Sequence, residues 1–207
     1  MKYESLIFDI DGTLWDSRAL VAEGYNIQLE REGLGRYSVD VETLKSLFGR
    51  VLPEIAGILF PDYPEEDRMA LIQRCARTQD QYLHNNPCQI GYPEVLETIR
   101  ELHKSHRLFI ASNSEQGYPE LCMEKLGLTP YIQDHICYGD THTSKGQSIL
   151  TLMKRNHIEN AVYIGDTQGD YEATLEAGIP FIWAGYGFGQ PEGCTEKIEK
   201  FSDLLRL

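Results

Sequence analysis

Two aspartates, Asp9 and Asp11, stand two residues apart directly after the apolar run Ser5-Leu6-Ile7-Phe8. That run is long enough for one buried strand and too short for a helix. Side chains alternate along a strand, so residues i and i+2 point the same way and both acids face one site. Gly12 follows, and its missing Cβ permits the backbone to turn at the strand end. A carboxylate pair in that position, with no basic residue beside it, will bind a hard cation such as Mg²⁺. Asp, Gly and Thr are also ordinary turn residues, so a solvated turn is the plainer alternative. Three further polar groups, each at an element end, outweigh it.

The first is Ser112-Asn113, after the apolar stretch Phe109-Ile110-Ala111. The Ser112 hydroxyl and the Asn113 backbone N–H can both hydrogen-bond a phosphoryl oxygen. The second is Lys145, at the start of a helical pattern. An ammonium there opposes the helix dipole, a small cost that a nearby cluster of anions offsets. Arg155 falls at the far end of the same helix and is a poor substitute. The third is Gly165-Asp166-Thr167-Gln168-Gly169-Asp170. Asp166 ends a strand and Asp170 lies one helical turn on, so both can reach one cation. A helix-capping role would explain Asp166 but not Asp170.

The elements that must position these groups follow from periodicity. Strands are expected at 5–8, 107–111, 136–138, 161–164 and 180–184, and helices at 93–102, 119–126, 145–156 and 168–176. A last helix is expected from Glu196 to Leu205, after the Gly-rich turn 185–189. Strands alternating with helices indicate an α/β fold, a Rossmann-like parallel sheet with helices on both faces. Ligands in such sheets sit outside the carboxyl ends of the strands, where all the polar residues above lie. Residues 16–86 read differently. Helical periods there follow caps at Asp16 or Ser17 and at Ser38 or Asp40, then a short apolar segment near 51–60 and a long acidic-fronted helix from Glu65. The block is too long for a loop. It is expected to be an inserted helical cap domain, leaving 1–15 and 87–207 as the α/β core.

Composition narrows the function. The 207 residues carry a formal net charge of −13, which repels nucleic acid and anionic membranes. Any anion site therefore needs local positive charge from a metal, a lysine or a helix N-terminus. No apolar run approaches the ~18 residues of a membrane span, and no signal-peptide core precedes the first strand. Five scattered cysteines without a Cys-x-x-Cys pair indicate reduced thiols in a cytoplasmic protein. Monomer and homodimer are both open.

In combination, Asp9-Ile10-Asp11-Gly12-Thr13, Ser112, Lys145 and the Gly-Asp-x-x-x-Asp segment resemble the motifs of the haloacid dehalogenase superfamily, over essentially the whole chain. The resemblance implies a Mg²⁺-dependent phosphatase acting on a small phosphorylated metabolite. Asp9 would be the nucleophile, forming an aspartyl-phosphate, and Asp11 the general acid and base. Ser112, Asn113 and Lys145 would bind the phosphoryl group. Mg²⁺ would be held by Asp9, the Asp11 backbone carbonyl and Asp166, with Asp170 in contact directly or through water. With Asp11 protonated, three carboxylates balance one Mg²⁺ and Lys145. Dehalogenases lack the second acid, since halide departs without a proton, so Asp11 selects phosphoryl transfer. The helical insertion resembles that of members acting on small metabolites, and Arg50 is the candidate for the substrate's non-phosphate end. The overall pattern, including Trp183-Ala184-Gly185-Tyr186-Gly187, is similar to phosphoglycolate phosphatases. A phosphomutase of the same fold and a non-catalytic binder of a phosphorylated ligand are the alternatives.

Overall fold

The computed structural model describes residues 2–207. Strand β1 (Ser5–Phe8) is followed by four helices, α1 (Arg18–Arg31), α2 (Val41–Leu47), α3 (Leu52–Leu59) and α4 (Glu65–Asn85). The chain continues through α5 (Val95–Leu102), β2 (Arg107–Ser112), α6 (Tyr118–Leu126), β3 (Asp134–Cys137) and the single turn α7 (Tyr138–Thr141). It ends with α8 (Lys145–Arg155), β4 (Ala161–Gly165), α9 (Gln168–Ala177), β5 (Phe181–Ala184) and β6 (Glu196–Ile198). Two compact units result. One combines the segments up to Asp16 with Ile90–Leu207, and the other is Ser17–Gln89.

The first unit is a six-stranded sheet of order β3-β2-β1-β4-β5-β6 with helices on both faces, every strand pair parallel. β1 lies in the middle, Phe8 pairing with Ile110 of β2 on one side and Ile164 of β4 on the other. A strand covered on both faces needs apolar residues in succession, and all four β1 residues and all five of β4 are buried. Alternate residues then serve opposite layers. Ile7, Phe109 and Tyr163 pack with Ile149 and Leu152 of α8, while Phe8 meets Phe201, ring centroids 5.7 Å apart.

One expected element is corrected. Glu196 to Leu205 is not a helix: Glu196–Ile198 form β6, in register with Ile182–Ala184, and Phe201–Arg206 form a 3₁₀ turn. Local propensity favours helix for Glu-Lys-Ile-Glu-Lys, but the open edge of β5 offers backbone partners, and the Gly185 N–H donates to the Ile198 carbonyl at 2.9 Å. Phe201 and Leu204, both buried, are three apart, which the three-residue turn of a 3₁₀ helix stacks on one side. No helix among the described residues is long and apolar enough to cross a membrane. None of the five cysteines is in a disulfide.

The helical unit is built on α1 against α4. Arg74 of α4 grips Glu32 with two bonds of 2.6 and 2.7 Å, and Thr78 donates to Gln28 at 2.8 Å. Asp40, one of the two expected caps, accepts from the Thr43 N–H at 2.7 Å and starts α2. Arg50 belongs to this unit, exposed and ion-paired with Glu54 at 3.5 Å. The tightest approach is at Gly24, where an added Cβ would sit 2.5 Å from the Gln79 Cα. Alanine would gain about 1 kcal/mol of intrinsic helix propensity. Backbone cannot yield as a flexible side chain does, and overpacking costs about 1–3 kcal/mol. Gly24→Ala is therefore expected to lower the stability of the helical unit, read as a reduced chemical-denaturation midpoint. An unchanged or raised midpoint would contradict this packing.

Candidate active site

The strand order reverses between β1 and β4, because the chain winds outward through β2 and β3 before returning to β4. That reversal leaves a crevice at the carboxyl ends of the two central strands. Asp9 follows β1, its N–H donating to the Ile164 carbonyl at 2.8 Å, and Asp166 follows β4. Ser112 is the last residue of β2 and Asn113 the next. Lys145 is the first residue of α8, and Asp170 lies in the first turn of α9. Gly12 has φ +82°, and a Cβ there would fall within the Asp166 carboxylate. The turn after the first acid pair is therefore packed directly on the third acid, which only glycine allows.

Asp9, Asp166, Asp170 and Lys145 are all buried. One carboxylate oxygen from each aspartate lies within 4.8 Å of the others. The Lys145 Nζ bridges two of them, at 2.8 Å from Asp9 Oδ1 and 2.5 Å from Asp170 Oδ1. Burial alone would depress the lysine, yet the charges of Asp170 and Asp9 outweigh it and hold the ammonium above its ordinary range. Burial pushes the Asp9 carboxyl up to about 7 against the opposing pull of Lys145. Asp166 is also raised well above the ordinary carboxylate range, by burial and then by the charges of Asp170 and Asp9. Asp170 alone is lowered: burial works against it, but Lys145 and the donors of Thr167 prevail.

The oxygens are occupied unequally. Asp170 Oδ1 receives Lys145 and, at 3.4 Å, the Tyr163 hydroxyl. Its Oδ2 receives the Asp166 N–H at 3.1 Å, the Thr167 N–H at 2.9 Å and the Thr167 hydroxyl at 2.8 Å. Thr-x-x-Asp is a capping box, with Thr167 in the capping role considered for Asp166. Asp166 Oδ2 accepts from the Phe188 N–H at 2.6 Å, but its Oδ1 is buried with no partner. An orphaned, buried acceptor thus sits among three acids and one ammonium, a set with two negative charges in excess once all three acids are ionised. A hard divalent cation fits that donor set.

Asp11 is held separately. Its Oδ1 accepts from the Trp15 indole N–H at 2.8 Å and from the Tyr118 hydroxyl at 2.9 Å. The structure thus joins Asp9, Lys145, Asp166 and Asp170 in direct contact around β1 and β4, with Ser112 on the neighbouring strand end. Arg155 instead pairs with Asp134 at 2.7 and 2.8 Å. Sequence reasoning missed Trp15, Tyr118, Tyr163, Thr167 and Phe188. Only Thr167 carried a signal, the capping-box spacing. The others are aromatic residues that a sequence reads as core.

Residues 6–184 match the haloacid dehalogenase-like hydrolase family. The chain belongs to the haloacid dehalogenase-like hydrolases. Phosphoglycolate phosphatase from Aquifex aeolicus is 30% identical over 98% of this chain and 95% of its own length. A 5′-nucleotidase from Pseudomonas aeruginosa is 24% identical over 93% of this chain and 87% of its own. The fold is shared with a haloacid dehalogenase-like hydrolase from Bacteroides fragilis, with TM-score 0.84, 23% identity and coverage of 98% and 100% of the two chains. It is shared too with CbbY from Rhodobacter sphaeroides, crystallised with xylulose-1,5-bisphosphate, with TM-score 0.84, 18% identity and coverage of 98% and 96%. Within the hydrolase family this member is an enzyme of the phosphatase type.

The electrostatics predict a pH signature for the cation-free protein. A buried acid with a raised pKa contributes fully below the ordinary carboxylate range and loses that contribution as pH rises through its folded value. Asp166→Asn removes one such group and keeps an acceptor for Phe188. In EDTA the variant is expected to exceed the wild type in stability by about 1–3 kcal/mol at pH 8. The difference should shrink toward pH 4, as urea midpoints measured across that range would record.

Proposed function

We propose that this hydrolase is a Mg²⁺-dependent phosphatase of small phosphate monoesters that works through an aspartyl-phosphate on Asp9. The observation that carries the reading is the Lys145 ammonium bridging Asp9 and Asp170 beside an Asp166 oxygen that has no partner. Asp9, Asp166 and the Asp11 backbone carbonyl would hold the cation. Bound there, Mg²⁺ would neutralise charge on the transferring phosphoryl oxygens. Asp170, with both oxygens engaged by protein donors, fixes Lys145 and the start of α9.

The chain's own residues account for the proton and bond changes. The Asp9 carboxylate attacks phosphorus, and the bond from phosphorus to the ester oxygen breaks. Asp11 gives its proton to that oxygen, which leaves as an alcohol. A water then attacks phosphorus while the Asp11 carboxylate takes its proton. The bond from phosphorus to Asp9 breaks, returning the Asp9 carboxylate, protonated Asp11 and inorganic phosphate. Ser112, the Asn113 N–H and Lys145 supply donors and positive charge to the phosphoryl oxygens in both halves. Similarity over nearly the full length of phosphoglycolate phosphatases favours a small phosphorylated carboxylic acid as substrate.

Phosphate release from phosphoglycolate, sugar phosphates and nucleoside monophosphates tests this reading. Activity is expected to require Mg²⁺, to disappear in EDTA and to return on adding the metal. Asp9→Asn is expected to lose more than about 10³-fold in kcat. Lys145→Ala is expected to lose about 10²–10³-fold, the scale for one stabilising group around the reacting phosphorus. Wild-type turnover in Asp9→Asn would end the mechanism. Phosphoglycolate turned over no better than the other esters would remove the substrate assignment while leaving the mechanism in place.

A further inference from the structure

The proposed reaction needs a proton donor at Asp11 but not the two hydrogen bonds that converge on it. Trp15 Nε1 and the Tyr118 hydroxyl end on the same oxygen, Asp11 Oδ1, at 2.8 and 2.9 Å. They arrive from different elements. Trp15 lies in the turn after the acid pair, fully buried, and its carbonyl accepts from the Gly12 N–H at 2.9 Å. Its chain neighbours are tied to the returning segment, Asp16 N–H to the Ile90 carbonyl at 2.8 Å and Tyr92 N–H to the Leu14 carbonyl at 3.0 Å. Tyr118 opens α6 directly after Gly117, whose φ is +90°. The Trp15 and Tyr118 rings meet edge to face, 5.4 Å apart at 73°. One connection, from Ser112 to Tyr118, therefore supplies both a phosphate-facing hydroxyl and a clamp on the acid.

A buried indole and a buried phenol each need a hydrogen-bond acceptor, and any two would satisfy them. Convergence on one carboxyl oxygen does something more. The indole N–H can only donate, so Oδ1 is an acceptor whether or not Asp11 carries a proton. A carboxyl free to rotate presents either oxygen, whereas two fixed donors choose one. We propose that Trp15 and Tyr118 are positioning residues that fix the orientation in which the Asp11 carboxyl gives and takes the catalytic proton. The proposal rests on the assignment of Asp11 as general acid and base.

The test is the dependence of kcat/KM on the leaving group, measured with saturating Mg²⁺ for esters running from p-nitrophenyl phosphate to simple alkyl phosphates. For a route through an aspartyl-phosphate, kcat/KM covers only the steps up to departure of the alcohol. p-Nitrophenolate leaves without a proton, and an alkoxide does not. Asp11→Asn is expected to lose far more on alkyl esters than on p-nitrophenyl phosphate. Tyr118→Phe keeps the ring contact with Trp15 and is expected to show the same tilt in smaller measure, about tenfold or more on alkyl esters and less than about threefold on p-nitrophenyl phosphate. Trp15→Phe should tilt in the same direction, and Tyr118→Phe should add no further tilt in an Asp11→Asn background.

A uniform loss across all esters in Tyr118→Phe and Trp15→Phe would overturn the positioning role and leave a purely structural one. Tyr118→Phe decides if Trp15→Phe does not fold. An Asp11→Asn variant with no tilt would instead overturn the acid–base assignment, and this inference with it.

Discussion

Lys145 holds the α/β unit's chemistry together. Its ammonium is buried between Asp9, from the end of β1, and Asp170, from the start of α9. A buried charge is tolerated only when paired and hydrogen-bonded, and removing one partner strands the others. The contact therefore constrains three pieces of chain at once: the strand β1 must end at Asp9, α8 must begin at Lys145, and α9 must begin by the capping box at Thr167. Each of those conditions is met by local sequence. The Ser-Leu-Ile-Phe run ends where the first carboxylate appears, Ser144 accepts from the Gln147 N–H to start α8, and Thr167 and Asp170 satisfy one another.

The same contact sorts three acids of one chemical type into different tasks. Asp170 is saturated with donors and stays ionised, whereas Asp166 keeps an orphaned oxygen and is forced toward the neutral form. Asp9 lies between them, with Lys145 lowering what burial raises. Environment rather than residue type makes the difference, and that environment is set by backbone N–H groups at the ends of β4 and β5 as much as by side chains. Phe188, for example, contributes through its N–H to Asp166, so its side-chain identity is free of that task.

Most of the architecture was legible in the sequence because its signals are local. Apolar runs of four or five residues separated by capped helices announce a parallel sheet, and carboxylates at their ends announce the crevice. Asp9, Lys145, Asp166 and Asp170 could be brought together by topology alone. Two things were not legible. The segment from Glu196 has helical propensity, and only the unpaired edge of β5 makes Glu196–Ile198 a strand. Trp15 and Tyr118 look like core aromatics, and only the three-dimensional approach of residues 103 positions apart turns their polar edges onto Asp11. Tertiary pairing decided both cases, and no window of local sequence contains it.

The central place of β1 has a consequence for how the molecule is made. Its backbone partners are Arg107–Ile110 and Ala161–Ile164, so β1, once synthesised, waits for roughly a hundred residues before its earlier neighbour exists, and longer for the later one. Such long-range parallel pairing is slow to form, and an apolar strand with unmade hydrogen bonds is prone to associate with other chains meanwhile. Ser17–Gln89, a compact unit of its own, is the chain that emerges during much of that interval. The acids of the crevice come together only once β4 and α9 have been translated, so the growing chain carries no assembled acid cluster until late in its synthesis.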